Sequence, residues 1–100
     1  MYLLITYDVE AKRTEKFRKL LGQYLVHTQN SVFAGDLTVA KTIELRKKLS
    51  VLMIASDRVI EIATANRQNV EVNELEKSES RKGVVRRRPI DDHRRDFVVI

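Results

Sequence analysis

One hundred residues with a 43% hydrophobic share make one domain's worth of chain, long enough to bury a core of its own. The absence of cysteine excludes a disulfide framework and a thiolate metal site, and no stretch approaches the roughly 20 apolar residues that cross a bilayer. The net charge of +5 points weakly to polyanionic partners, and it is concentrated: Arg81, Lys82, Arg86, Arg87, Arg88, Arg94 and Arg95 all fall in the last fifth of the chain, leaving the rest close to neutral.

The chain opens with Met1-Tyr2-Leu3-Leu4-Ile5, which lacks a basic leader and is interrupted by Asp8, so no signal peptide is expected and the cytoplasm is the expected compartment, away from membranes. Tyr2 to Val9 predicts a strand, nearly continuous in apolar and β-branched residues, as in a strand covered on both faces. Lys12 to Leu25 predicts a helix, with Phe17, Leu20, Leu21, Tyr24 and Leu25 on one stripe and Lys12, Arg13, Lys16, Arg18 and Lys19 over much of the remainder. Val26 to Ala34 predicts extended structure, one strand or two short ones, with Gly35-Asp36 as a turn signal.

A second helix is expected from about Thr38 to Met53. Asp36 or Thr38 would cap it, and Ala40, Ile43, Leu45, Leu49 and Leu52 would form its buried side. Arg58 to Ala65 and Val70-Glu71-Val72, separated by the polar turn Asn66–Asn69, suggest a hairpin. From Glu76 to Asp96 the composition is that of a charged linker holding the single proline, Pro89, and Phe97-Val98-Val99-Ile100 closes the chain with four apolar β-formers. The order fits an α/β (α+β) two-layer sandwich, two helices on one face of a mainly antiparallel sheet, with a ferredoxin-like fold as the leading candidate. Residues 1–75 would form the domain and 76–100 a basic linker with a C-terminal edge strand.

Asp8, at the end of the first strand, is either a turn-forming aspartate or a ligand for a hard cation such as Mg²⁺. One carboxylate is too few for a firm site, and a two-fold axis beside it would supply a second. The basic helix face is either a solvated surface or a set of phosphate contacts. Arg86-Arg87-Arg88 and Arg94-Arg95 are either solvated charge or an arm that meets phosphates, which guanidinium groups match bidentately. Phe97 to Ile100 would be costly to expose, and strand addition to a sheet edge of the same chain or of a partner would cover it. His27 and His93 have no partner at metal-ligand spacing, Ser31 and Ser50 have no neighbouring base in sequence, and three glycines form no phosphate loop.

Tyr7-Asp8-Val9 at the end of an apolar strand, a basic helix ending near Tyr24, Gln29-Asn30-Ser31-Val32-Phe33, then Gly35-Asp36-Leu37, Asp57-Arg58-Val59-Ile60-Glu61-Ile62 and the closing Phe97-Val98-Val99-Ile100 together resemble the small CRISPR-associated adaptation proteins of the Cas-two family. The resemblance runs nearly the whole length and implies a ferredoxin-like two-fold dimer in CRISPR spacer acquisition. It implies that duplex DNA lies across the basic surface and that the dimer bridges the CRISPR integrase. It also implies endonuclease activity on RNA or DNA dependent on Mg²⁺ or Mn²⁺. Asp8 would hold the metal, Tyr7 would orient or stack, Ser31 and Phe33 would shape the site, and Phe97, Val98, Val99 and Ile100 would pair with the other protomer. Leu25, His27 and Ala34 depart from the glycine, basic residue and acid frequent at those places in the family. A small-ligand regulatory domain on the same fold is the rival reading, with the basic tail and the lack of a glycine-rich loop against it.

Overall fold

The structure, a computed structural model, describes residues 1–77 and 85–89. Strand β1 (Tyr2–Asp8) leads through a 3₁₀ turn (Ala11–Arg13) into helix α1 (Thr14–Gly22), followed by β2 (Val26–Gln29), β3 (Val32–Asp36), helix α2 (Val39–Leu52) and β4 (Arg58–Thr64). The four strands form one sheet in the order β2-β3-β1-β4, every neighbouring pair antiparallel. This is the α+β ferredoxin-like architecture expected from the sequence.

β1 lies between β3 and β4, and its residues alternate between the two sides of the sheet. Leu3, Ile5 and Tyr7 face the helices and join Phe33, Phe17, Leu21, Leu45 and Leu49 in a single core. Leu3, Ile5, Phe17, Leu21 and Leu45 are fully buried, each contributing about 1.5–3 kcal/mol by leaving water. Leu4 and Thr6 point to the other side and are only half-buried, so β1 is covered more thoroughly on one face than its continuous hydrophobicity suggests.

The first helix is shorter than its stripe. Its α-helical part ends at Gly22, yet Tyr24 and Leu25 still reach the core because their amides bond back to the Leu21 carbonyl at 3.0 and 2.8 Å and hold the chain in a tight turn. In α2 the buried stripe is Thr42, Leu45 and Leu49, while Ala40 and Ile43 are exposed. Thr42 is tolerated there because its hydroxyl donates to the Thr38 carbonyl at 2.9 Å. Thr38 is the N-cap, its Oγ1 accepting the Lys41 amide at 3.1 Å. Gly35 and Asp36 belong to β3. The turn falls earlier, between β2 and β3, where Asn30 takes a positive φ of 25° that asparagine tolerates.

The hairpin expected between residues 58–65 and 70–72 does not form. Val70 to Val72 lie outside any strand. β5 (Asn73–Lys77) instead pairs antiparallel with β6 (Val85–Pro89) in a separate two-stranded sheet. The stretch read as linker therefore carries strand structure, with Glu74 opposite Arg88 and Glu76 opposite Arg86 in the register. Proline closes β6, a place where its missing N–H costs little. No helix among the described residues is long and apolar enough to cross a membrane.

Candidate functional site on the open face of the sheet

Asp8 ends β1 on the side away from the helices, in register with Arg58 of β4. Its side is shared by Leu4, Thr6, Val32, Ile60 and Ile62, as the cross-strand partners Thr6↔Val32, Thr6↔Ile60 and Leu4↔Ile62 require. Ile60 and Ile62 are 47% and 60% exposed, so the β4 flank of this side is an exposed apolar surface with an exposed carboxylate at one end, while Tyr2 and Ala34 on the same side are buried.

Tyr7 follows the strand alternation to the opposite side. It is buried, its ring stacks on Phe17 at 5.3 Å and on Phe33 at 6.3 Å between centroids, and its hydroxyl has no hydrogen-bond partner among the described residues. Burial pushes its phenol above the ordinary value, with Arg18 pulling the other way and Glu15 reinforcing the rise. Phe33 is buried in the same aromatic cluster and stacks on His27 at 4.7 Å. Ser31, half-buried, accepts the Tyr7 amide on its backbone carbonyl at 3.2 Å, which fixes the β2–β3 turn beside the end of β1. Of the four residues expected to form a catalytic group, the structure thus gathers Tyr7, Phe33 and the Ser31 backbone beneath the sheet end and leaves Asp8 on the other side. His27 Nε2 lies 2.6 Å from the Asn30 carbonyl, a local bond that requires the proton on that nitrogen.

Among the described residues no three His, Cys, Asp or Glu side chains lie close enough together to hold a metal. Asp8 is an exposed carboxylate of the kind a hard cation accepts as one of several oxygen ligands.

The basic residues of the first helix divide by environment. Lys12 and Arg18 are exposed and only loosely paired, with Glu10 and Glu15, each at 3.6 Å. Arg13 is instead committed to the fold: it pairs with Asp57, donates to the Leu52 carbonyl at 2.8 Å and sits over the Phe17 ring. Lys16 and Lys19 line a groove of about 520 Å³ between α1 and α2, opposite Lys47 and Lys48. Those two lysines of α2 were not among the sequence candidates, although their spacing of four from the exposed Val51 and the half-buried Leu52 marked one helix face. Arg86, Arg87 and Arg88 lie on the β6 backbone. Arg94, Arg95 and the segment Phe97, Val98, Val99, Ile100 lie outside the described residues.

A ferredoxin-like sandwich whose sheet keeps one face open, with an aspartate at the tip of its central strand, defines a class of small α+β proteins rather than one activity. The chain belongs to the family described as CRISPR associated protein Cas2, whose model matches residues 1–72. It is 36% identical over 76 residues to the CRISPR-associated endoribonuclease Cas2 of Methanosarcina acetivorans, covering 75% of this chain and 87% of that one. A crystal structure of a Cas2 protein superimposes with a TM-score of 0.70 at 32% identity, covering 81% of this chain and 92% of the other. Cas2 of Streptococcus pyogenes gives 0.59 at 29% identity over 68% and 92%.

Proposed function

We propose that the protein works in CRISPR adaptation as a homodimer that binds duplex DNA and bridges the integrase, with metal-dependent endonuclease activity as a second, conditional property. The observation that carries this reading is Asp8 at the end of an open apolar sheet face. Stacking two such faces about a two-fold axis covers Ile60 and Ile62 and brings two Asp8 carboxylates toward each other.

Two carboxylates with waters and substrate phosphate oxygens make the donor set that Mg²⁺ or Mn²⁺ accepts, and the ion would polarise a phosphodiester and lower the pKa of a bound water. Asp8 holds the cation; Tyr7 and Phe33 support the strand end from below through packing. Lys12, Arg18 and the arginines 86–88 provide the charge for phosphate contact, which positions a duplex without reading its sequence. The relatives named as endoribonucleases lend RNA as a further substrate.

The experiment compares spacer acquisition and phosphodiesterase turnover with Mg²⁺ for the wild type, Asp8→Ala, and a charge reversal of Arg86, Arg87 and Arg88. Acquisition is expected to survive in Asp8→Ala while turnover disappears, and to fail in the charge-reversed protein. Normal integration by the charge-reversed protein rejects the adaptor reading, and equal turnover in wild type and Asp8→Ala rejects the metal site.

A further inference from the structure

We propose that the groove between α1 and α2 docks an acidic amphipathic helix of a partner protein. Lys16, Lys19 and Leu20 stand at i, i+3 and i+4 on α1, and Lys47, Lys48 and Val51 at i, i+1 and i+4 on α2, so both helices turn one face to the same trough. Val51, in the last turn of α2, is 88% exposed, an apolar side chain held in water beside the trough. Among the described residues Lys16, Lys19 and Lys47 form no ion pair, and Lys48 rests over the Tyr24 ring at 5.2 Å. Four cations therefore rim an open groove of about 520 Å³ whose apolar lining is Leu20, Val51 and Leu52.

The chemistry of the rim and floor selects the occupant. Lysine also meets phosphate as a point charge, but a duplex backbone offers little apolar surface for Val51 and Leu20 to cover. Lysine is a point charge on a flexible apolar stem that lies along a hydrophobic floor while its head reaches a carboxylate. A helix with an apolar ridge flanked by glutamates or aspartates satisfies both, since the ridge fills the trough and the acids meet the lysines. The groove lies on the helical layer, across the molecule from the open sheet face, so it stays accessible when that face is covered.

The test is fluorescence anisotropy of a labelled synthetic helix with a leucine ridge and flanking glutamates, titrated with the full chain. A composition-matched peptide with the ridge scrambled and a short duplex DNA run in parallel. Saturable binding of the ridged helix is expected, weakened by about tenfold or more in Val51→Ser and in the double variant Lys16→Glu, Lys47→Glu, with duplex affinity unchanged by the neutral Val51→Ser. All these positions are exposed, and circular dichroism checks that the variants fold. Equal binding of the scrambled peptide overturns the proposal. So does a duplex that loses as much affinity as the ridged helix in Val51→Ser, since the trough would then be a nucleic-acid site.

Discussion

The Arg13 guanidinium and the Asp57 carboxylate close the molecule between the start of α1 and the loop entering β4. Arg13 also donates to the Leu52 carbonyl at 2.8 Å, and the second Asp57 oxygen accepts the Ile54 amide at 2.9 Å. The Asp57 side chain is 1% exposed, so its charge depends on these partners. The bond from Arg13, offset in part by burial and aided by the Ile54 amide, holds the Asp57 carboxyl below the ordinary carboxylate range. Its stabilising contribution is therefore complete above the ordinary carboxyl pKa of about 3.9 and is lost as pH falls through the depressed folded value. Asp57→Asn is expected to lower Tm by several degrees at neutral pH, and the gap to wild type should shrink in acid. Thermal melts of both proteins across that range check the sign.

Tyr7→Phe separates packing from chemistry. The hydroxyl is buried without a partner, so deleting it should leave stability unchanged or raise it by up to about 1 kcal/mol. Nuclease turnover with Mg²⁺, if driven by Asp8, should persist in Tyr7→Phe and vanish in Asp8→Asn. Chemical denaturation and a turnover assay on the three proteins give the answer; loss of turnover in Tyr7→Phe would place the phenol in the chemistry after all.

The open sheet face should be the dimer contact. Ile62 is 60% exposed in the single chain, so Ile62→Asp should fold normally but bury a charge against the partner. Dimer dissociation should become easier by about tenfold or more, the loss expected when one buried isoleucine is forfeited. Sedimentation equilibrium measures it, and an unchanged dimer would move the interface elsewhere.

Thr38→Ala removes the acceptor for the Lys41 amide at the start of α2. Destabilisation by about 1 kcal/mol is expected, and Thr38→Asp should keep most of the stability. Urea unfolding of the two variants tests the cap.

Much of this fold was legible because its signals are local. The Phe17, Leu21, Tyr24 and Leu25 stripe, the short β-branched run of β4 and the cap before α2 each follow from side-chain type and spacing alone. What escaped was set by pairings that side-chain type and spacing do not announce. Thr42 reads as polar, and only its bond back to Thr38 makes it a core residue. Val70-Glu71-Val72 carries the alternation of a strand, while the pairing goes to Asn73–Lys77 and Val85–Pro89, whose acids and arginines oppose one another in register. At the site, Tyr7-Asp8 reads as a pair because the two are adjacent in sequence, whereas in an extended chain adjacent residues are the two that part company. Arg13 looked like one more surface cation, since nothing near it in sequence names Asp57.

The central strand gives Leu3, Ile5 and Tyr7 to the core between sheet and helices, and Leu4, Thr6 and Asp8 to the other side, where Tyr2 is buried as well. A deletion or insertion of one residue within it would turn Leu3, Ile5 and Tyr7 outward and drive the aspartate in among the helices, exchanging the two roles at once. Length in this seven-residue segment is thus less free to drift than its side chains are: an isoleucine can become a valine, but the count of residues from Leu3 to Asp8 has to stay as it is.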